Sequence, residues 1–201
     1  MKYPFLASFI VFCLVLMNII RKSRNKEAAA YNNFMEEEAR ANSTRRQPLD
    51  DLNYITIDFN TLPMDILSDD EKVIEYHETL KTLSDKPIVN LTGLTNTELK
   101  LKYGAPNIDL LSSYDNAYTI LARTLNDWGK YAFDQGYTAE AQTILEFAME
   151  TGTDVSESFL TLAQIYHDAG QNDKIKELTE KASQINSLLS KSLVQKLENF
   201  A

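Results

Sequence analysis

The sequence is short of almost everything that builds a reactive centre. One cysteine, Cys13, stands in 201 residues inside an apolar run, so there is neither a disulfide framework nor a thiolate set for a metal. The two histidines, His77 and His167, are far apart and lack a second ligand at helical spacing, which argues against a metal site. No glycine-rich phosphate loop occurs, and no nucleophile is matched with a base at a workable interval. Neither catalysis nor a cofactor is therefore expected. With 6 Gly and 5 Pro the chain is neither a flexible linker nor a collagen-like rod, and 44% hydrophobic content suffices for one core domain with flanking structure.

Positive charge is scarce too, except at one end. Residues 1–26 hold Lys2, Arg21, Lys22, Arg24 and Lys26 and no acid, a charge of +5. Removing those five from the 20 Lys and Arg leaves 15 against 29 Asp and Glu, so residues 27–201 carry −14. A body of that sign is repelled by phosphate backbones, and nucleic acid is not an expected partner.

What the chain does have begins with Pro4 to Ile20, 17 residues without a charge. As a helix that run spans roughly 26 Å, the low end for crossing a bilayer. Tyr3 suits an interfacial position, and the RKSRNK run beyond Ile20 reaches headgroups. A cleaved signal peptide fits less well, because the small-x-small site at Ala28–Ala30 lies beyond five charged residues. Nor does Phe12-Cys13 resemble a lipoprotein site. The expectation is an uncleaved single-pass anchor in the cell membrane. Four Lys and Arg follow the run and one precedes it, which places the remainder in the cytoplasm by the positive-inside bias. Placement on the outer side, as an envelope accessory to secretion or wall assembly, stays open. The triplets Asn42-Ser-Thr and Asn90-Leu-Thr would matter only there.

Residues 27–50 predict a short solvated helix and a linker through Asn42–Pro48. Within 51–121, a cover region, Tyr54–Phe59 alternates with Ile55, Ile57 and Phe59 on one side, which predicts an extended segment laid across a helical body. Ser68-Asp-Asp-Glu71 reads as a capping box ahead of a helix whose inner stripe is Val73, His77, Leu80 and Leu83. There His77 is expected to be a partly buried, hydrogen-bonded histidine rather than a base. Thr95-Asn-Thr-Glu98 is a second box, closed by Gly104 and Pro106. A long helical pattern then runs from Ile108, with Ser112-Ser113 a potential break.

From Ala122 the chain repeats. Leu125, Trp128, Gly129, Ala132, Gly136, Ala141, Leu145 and Ala148 recur after 34 positions as Phe159, Leu162, Ala163, Tyr166, Gly170, Ile175, Thr179 and Ala182. Small residues permit close helix approach, placing Gly129 and Ala163 against Ala141, Ala148 and Ala182. Gly136 and Gly170 permit the positive φ that ends each first helix. Thr138 and the run Asp154-Val-Ser-Glu157 offer caps for the helices that follow.

This spacing resembles the tetratricopeptide repeat, whose unit is a 34-residue helix–turn–helix. The likeness covers residues 122–187, though Ala132 and Ile175 depart from the family's pattern and its closing proline is replaced by Thr153 and Ser187. Two repeats bury too little alone, so residues 68–121 are expected to cover one side and the amphipathic segment 188–201, with Leu188, Leu189, Leu193, Leu197 and Phe200, to close the other. The resulting expectation is an all-α chain: an N-terminal transmembrane helix with its basic flank over 1–26, then a helical stack with a short extended segment and a closing helix.

The resemblance implies a groove lined by the first helix of each unit. Matching positions are Arg123, Asn126, Lys130 and Phe133, then Leu160, Gln164, His167 and Asp168. The family's carboxylate clamp places lysine four residues before asparagine; here the order is inverted, which disfavours a chaperone-tail receptor. The implied role is a membrane-anchored scaffold docking a protein or peptide by mixed polar and apolar contacts. Self-association through the tether or closing helix is compatible with the sequence, although no heptad seam demands it.

Overall fold

The computed structural model describes residues 4–185 and 190–200, with side chains from Ser8 onward. Among them the structure is all-α with no strand, and it divides into two compact units. One joins the chain up to Pro48 to Thr95–Ile108; the other joins Leu49–Leu94 to the chain from Asp109 on.

The first unit is dominated by α1 (Pro4–Asn42), a single uninterrupted helix. No proline or glycine falls inside it to separate the apolar run from the Ala/Glu-rich stretch, so both propagate as one helix of roughly 58 Å. Among the described residues no helix is long and apolar enough to cross a membrane. The anchor expected over Pro4–Ile20 starts at four residues whose side chains lie outside the description. In its described part Phe9, Phe12, Leu14, Met17 and Ile19 are each exposed by 60% or more.

The far end of α1 packs on α3 (Asn96–Tyr103). There Ala41 is fully buried, and Glu38 accepts bonds from Thr97 and from Lys100, the latter at 3.2 Å. The Thr97 hydroxyl, then Lys100, holds the Glu38 carboxyl below its usual range. The capping box at Thr95 and Glu98 forms as the sequence predicts, and Gly104 ends α3 at φ +91°. A β-carbon on Gly104 would fall 2.2 Å from the Arg45 carbonyl oxygen, so glycine is required by close approach as well as by φ.

Residues 42–48, expected to be a linker, are instead a strap fastened to this helix end. Gln47 N donates to Tyr103 O, and Ala105 N to Thr44 O. Asn107, 2% exposed, donates to Gln47 O and Tyr103 O at 2.8 Å each and accepts from Arg46 Nε at 2.9 Å. The composition of the strap suggested a loop, but the bonds that hold it come from sixty positions away.

In the second unit the extended segment lies as its alternation requires. Ile57 is buried with Ile55 and Phe59 half-buried, while Tyr54, Thr56 and Asp58 are exposed. Its backbone is met by Ile88 and Val89 through the Ile55 N–Ile88 O bond and a lone bridge at Tyr54. Next comes α2 (Glu71–Ser84), whose buried residues are Val73, His77, Leu80 and Leu83. Its cap is Asp70 rather than Ser68: one carboxylate oxygen accepts from the Lys72 and Val73 amides at 2.9 and 3.3 Å.

The remaining helices are α4 (Ile108–Asp134), α5 (Thr138–Glu150), α6 (Ser156–Asp168), α7 (Asn172–Gln184) and α8 (Ser190–Glu198). Ser112-Ser113 does not interrupt α4. Thr138 and Asn172, where α5 and α7 begin, stand 34 positions apart, as do Ser156 and Ser190, where α6 and α8 begin. Gly136 and Gly170 make the turns at φ +86° and +67°. Thirty-four positions before Thr138 stands Gly104 at the end of α3, so no earlier hairpin keeps the interval.

Close approach occurs at Gly129, although the nearest atoms come from α5's larger residues: a β-carbon there would lie 2.7 Å from Leu145 and 3.4 Å from Ile144. The expected helix caps do not form. Thr138 is already inside α5, whose cap Tyr137 makes no side-chain bond, and α6 begins after Val155 with Thr153 Oγ1 accepting from the Val155 amide. Instead the α5–α6 turn is pinned from outside: Asn90 Nδ2 and the Tyr118 hydroxyl donate to Gly152 O at 2.9 and 2.8 Å. That bond occupies the Asn90 amide of the second Asn-x-Thr triplet.

One core runs from Ile57 through α2, α4, α5, α6 and α7 to Leu193 and Leu197 of α8. Leu145 and Leu178 are both buried in it, Leu178 standing one position before Thr179, the 34-residue counterpart of Leu145. Leu188 and Leu189, expected in the closing segment, lie outside the described residues.

Candidate interaction surface

The four α4 positions fall three or four apart and so share one stripe, and the α6 positions share another. The structure ties two of the α4 positions to α6, through α6 residues outside the predicted stripe. Asn126, 6% exposed, accepts from the fully buried Ser158 hydroxyl at 2.8 Å and donates to Asp127 at 2.9 Å. Lys130 pairs with Glu157, both about half exposed, and that hydrogen bond raises the lysine's proton affinity. Both are struts between α4 and α6 rather than open contact points.

The others are distributed unevenly. Arg123 is exposed and has no ion-pair partner among the described residues, while Phe133 and Leu160 are half-buried against the core. Gln164 donates to Asp168 at 2.8 Å, one turn along α6, which fixes both amide and carboxylate. His167 faces the end of α8: its Nδ1 lies 2.8 Å from Phe200 O, so the Nδ1-protonated ring donates, and the two rings meet edge-on at 6.2 Å. Of the eight, Arg123 therefore stays openly accessible, and Phe133, Leu160 and Gln164 stay partly so.

A polar centre lies elsewhere, between α5, α6 and α7. Glu146 accepts from Gln142 at 2.9 Å, the Tyr166 hydroxyl at 2.8 Å and Lys174 at 2.9 Å, and Lys174 sits 5.0 Å over the Tyr166 ring. Burial alone would push the Glu146 carboxyl up, but the bonds from Lys174, Gln142 and Tyr166 outweigh it and hold it below the usual range. Burial and the facing carboxylate push the Tyr166 phenol up. The only trace of this centre in the sequence is a carboxylate between Leu145 and Phe147 in an otherwise apolar stretch; its partners stand 20 and 28 positions away with no periodic mark.

Among the described residues no group of three His, Cys, Asp or Glu gathers at metal-binding distance. A recess of about 540 Å³, lined by Asn53, Asn90, Thr153 and Lys181 among others, lies beside the pinned α5–α6 turn.

The fold and this surface define an all-α protein with a helical repeat-like body, in which paired helices recur at a fixed interval. No family model, curated protein or solved structure matches the chain.

Proposed function

We propose that the chain is a membrane-tethered scaffold of tetratricopeptide-repeat type, whose α4–α8 stack docks a protein or peptide on the face bearing Arg123, Phe133, Leu160 and Gln164. The observation that carries the reading is the 34-position interval between the starts of α5 and α7 and between those of α6 and α8, together with the Asn126–Ser158 and Lys130–Glu157 ties between α4 and α6. The tether is supported by the apolar surface from Phe9 to Ile20, followed by Arg21, Lys22, Arg24 and Lys26 on the same helix. An exposed apolar surface of that extent calls for lipid or a partner, and the cations beside it suit anionic headgroups. On this reading the stack lies in the cytoplasm and performs no chemistry.

A photo-crosslinking residue at position 123 of the full chain, expressed in its native membrane, tests the docking face. The expected outcome is a captured protein that is lost on Leu160→Asp and absent when the probe sits at Glu180. Capture of nothing above that control sinks the docking face. Thiol labelling of Gln135→Cys in a Cys13→Ser background, on intact against opened cells, tests the side of the membrane. Labelling of intact cells would move the stack to the outer side.

A further inference from the structure

Two nitrogen-bearing rings meet inside the core of the second unit, and one buried nitrogen of each has no protein partner. His77 sits on the inner stripe of α2 and is 8% exposed; Trp128 on α4 is fully buried. Their rings meet edge-on, with centroids 4.9 Å apart and planes at 82°. His77 Nε2 and Trp128 Nε1 are both buried without a hydrogen bond to the protein. The sequence predicts a bonded histidine here, and the structure corrects that.

A neutral imidazole tolerates this place at the modest cost of one unbonded nitrogen. An imidazolium does not, because it brings a full charge and a second N–H donor into a site with no acceptor. The surroundings oppose the proton further. The charged group acting on His77 is Lys81, one turn along α2, and it is a cation. From α4 the facing ring is Trp128. At the N-terminal end of α2, Asp70 is engaged by Tyr131, and Lys72 lies over the Tyr131 ring at 4.9 Å. No carboxylate compensates at His77. Attraction between an imidazolium and the indole offsets only part of the cost.

We infer that the α2–α4 junction is an acid-sensitive clasp: when His77 takes a proton, its half of α2 lets go of α4 and uncovers Trp128. The Asp70–Tyr131 bond persists under mild acid, so α2 stays hinged at its N-terminal end. Burial first, then Lys81, holds the His77 proton affinity below its ordinary 6.5 in the closed state. Neutral His77 therefore supports closure fully above the open-state value. That support is lost as the pH falls through the lower closed-state value. Each pKa unit of depression weakens closure by up to about tenfold.

Trp128 is the chain's only tryptophan, so acrylamide accessibility of its fluorescence reports the junction alone. Accessibility is the proper readout, because an imidazolium also quenches indole by simple contact. With the full chain in neutral detergent, lowering the pH from 7.5 to 5 should raise the quenching constant several-fold in wild type and in His167→Gln, and leave His77→Phe unchanged. Hydrogen exchange, corrected for its intrinsic pH dependence, should accelerate in α2 while α5 keeps its protection; this measurement needs no variant. Trp128 remaining shielded at pH 5, an equal rise in His77→Phe, or uniform acceleration across all helices would overturn the clasp.

Discussion

Tyr131 of α4 donates a 2.7 Å hydrogen bond to the carboxylate of Asp70, whose other oxygen caps α2. One side chain thus starts a helix and docks it on another, across 61 positions of sequence. Tyr131→Phe should lower the melting midpoint slightly, Asp70→Asn by more, and Asp70→Ala most, because alanine removes cap and dock together. Non-additivity in the Asp70→Ala/Tyr131→Phe pair, measured by thermal unfolding, checks that the two act as a unit. The Tyr131 bond holds the Asp70 carboxyl below 3.8, so its contribution is present above pH 3.8 and is lost as the pH falls through the lower folded value.

Two glycines should respond to alanine for different reasons. At Gly129 the new carbon meets Leu145 at 2.7 Å, so Gly129→Ala forces α4 and α5 apart and should cost about 1–3 kcal/mol. At Gly136 nothing lies within 4 Å, and only the φ of +86° resists, so Gly136→Ala should cost about 1–2 kcal/mol. Denaturant titration separates them: reducing Leu145 to alanine in the same chain should relieve the first penalty and leave the second.

The Asn126–Ser158 bond is buried, so breaking it from one side leaves an unsatisfied group in the core. Asn126→Ala should cost about 1–3 kcal/mol. By contrast Arg123→Ala should leave the unfolding midpoint within error, because the side chain is exposed and has no ion-pair partner among the described residues. Equal stability of all three proteins in urea would contradict the role assigned to Asn126.

Glu146 receives three bonds but is more than a third exposed, which limits what its charge contributes. Glu146→Gln should therefore cost no more than about 1 kcal/mol, since an amide oxygen still accepts from Tyr166. Glu146→Ala should cost about 1–2 kcal/mol by leaving the buried Tyr166 phenol without its acceptor. The carboxyl is held below 4.5, so the difference between wild type and Glu146→Gln should be full above pH 4.5 and vanish as the pH falls through the lower folded value. Urea midpoints at pH 7 and near pH 3 measure it.

Much of the helical layout was legible because the features that fix it are local. The inner stripe of α2, the box at Thr95 and Glu98, the turns at Gly136 and Gly170 and the alternation at Ile55, Ile57 and Phe59 each depend on residues within a turn or two. The errors were of another kind. Ser68 looked like a cap, but Asp70 takes the role because its second oxygen finds Tyr131. Asp154 and Glu157 looked like a box, but Glu157 turns to Lys130. Residues 42–48 looked like a linker, but Asn107 fastens them. Of the surface read from the sequence, Arg123, Phe133 and Leu160 keep an open side, whereas Asn126 and Lys130 are struts.

By itself, then, the sequence determined which stretches are helical, which faces they bury and the 34-residue interval at which the turns return, because apolar periodicity and turn chemistry act between near neighbours. Tertiary structure alone decided how the polar groups spend their hydrogen bonds: Asp70 on Tyr131, Glu146 on Tyr166 and Lys174, Asn126 on Ser158, and His77 on nothing but an indole edge. Those partners lie from 20 to 61 positions apart, and at such distances a carboxylate or an imidazole carries no sign of what it will face until the helices have packed.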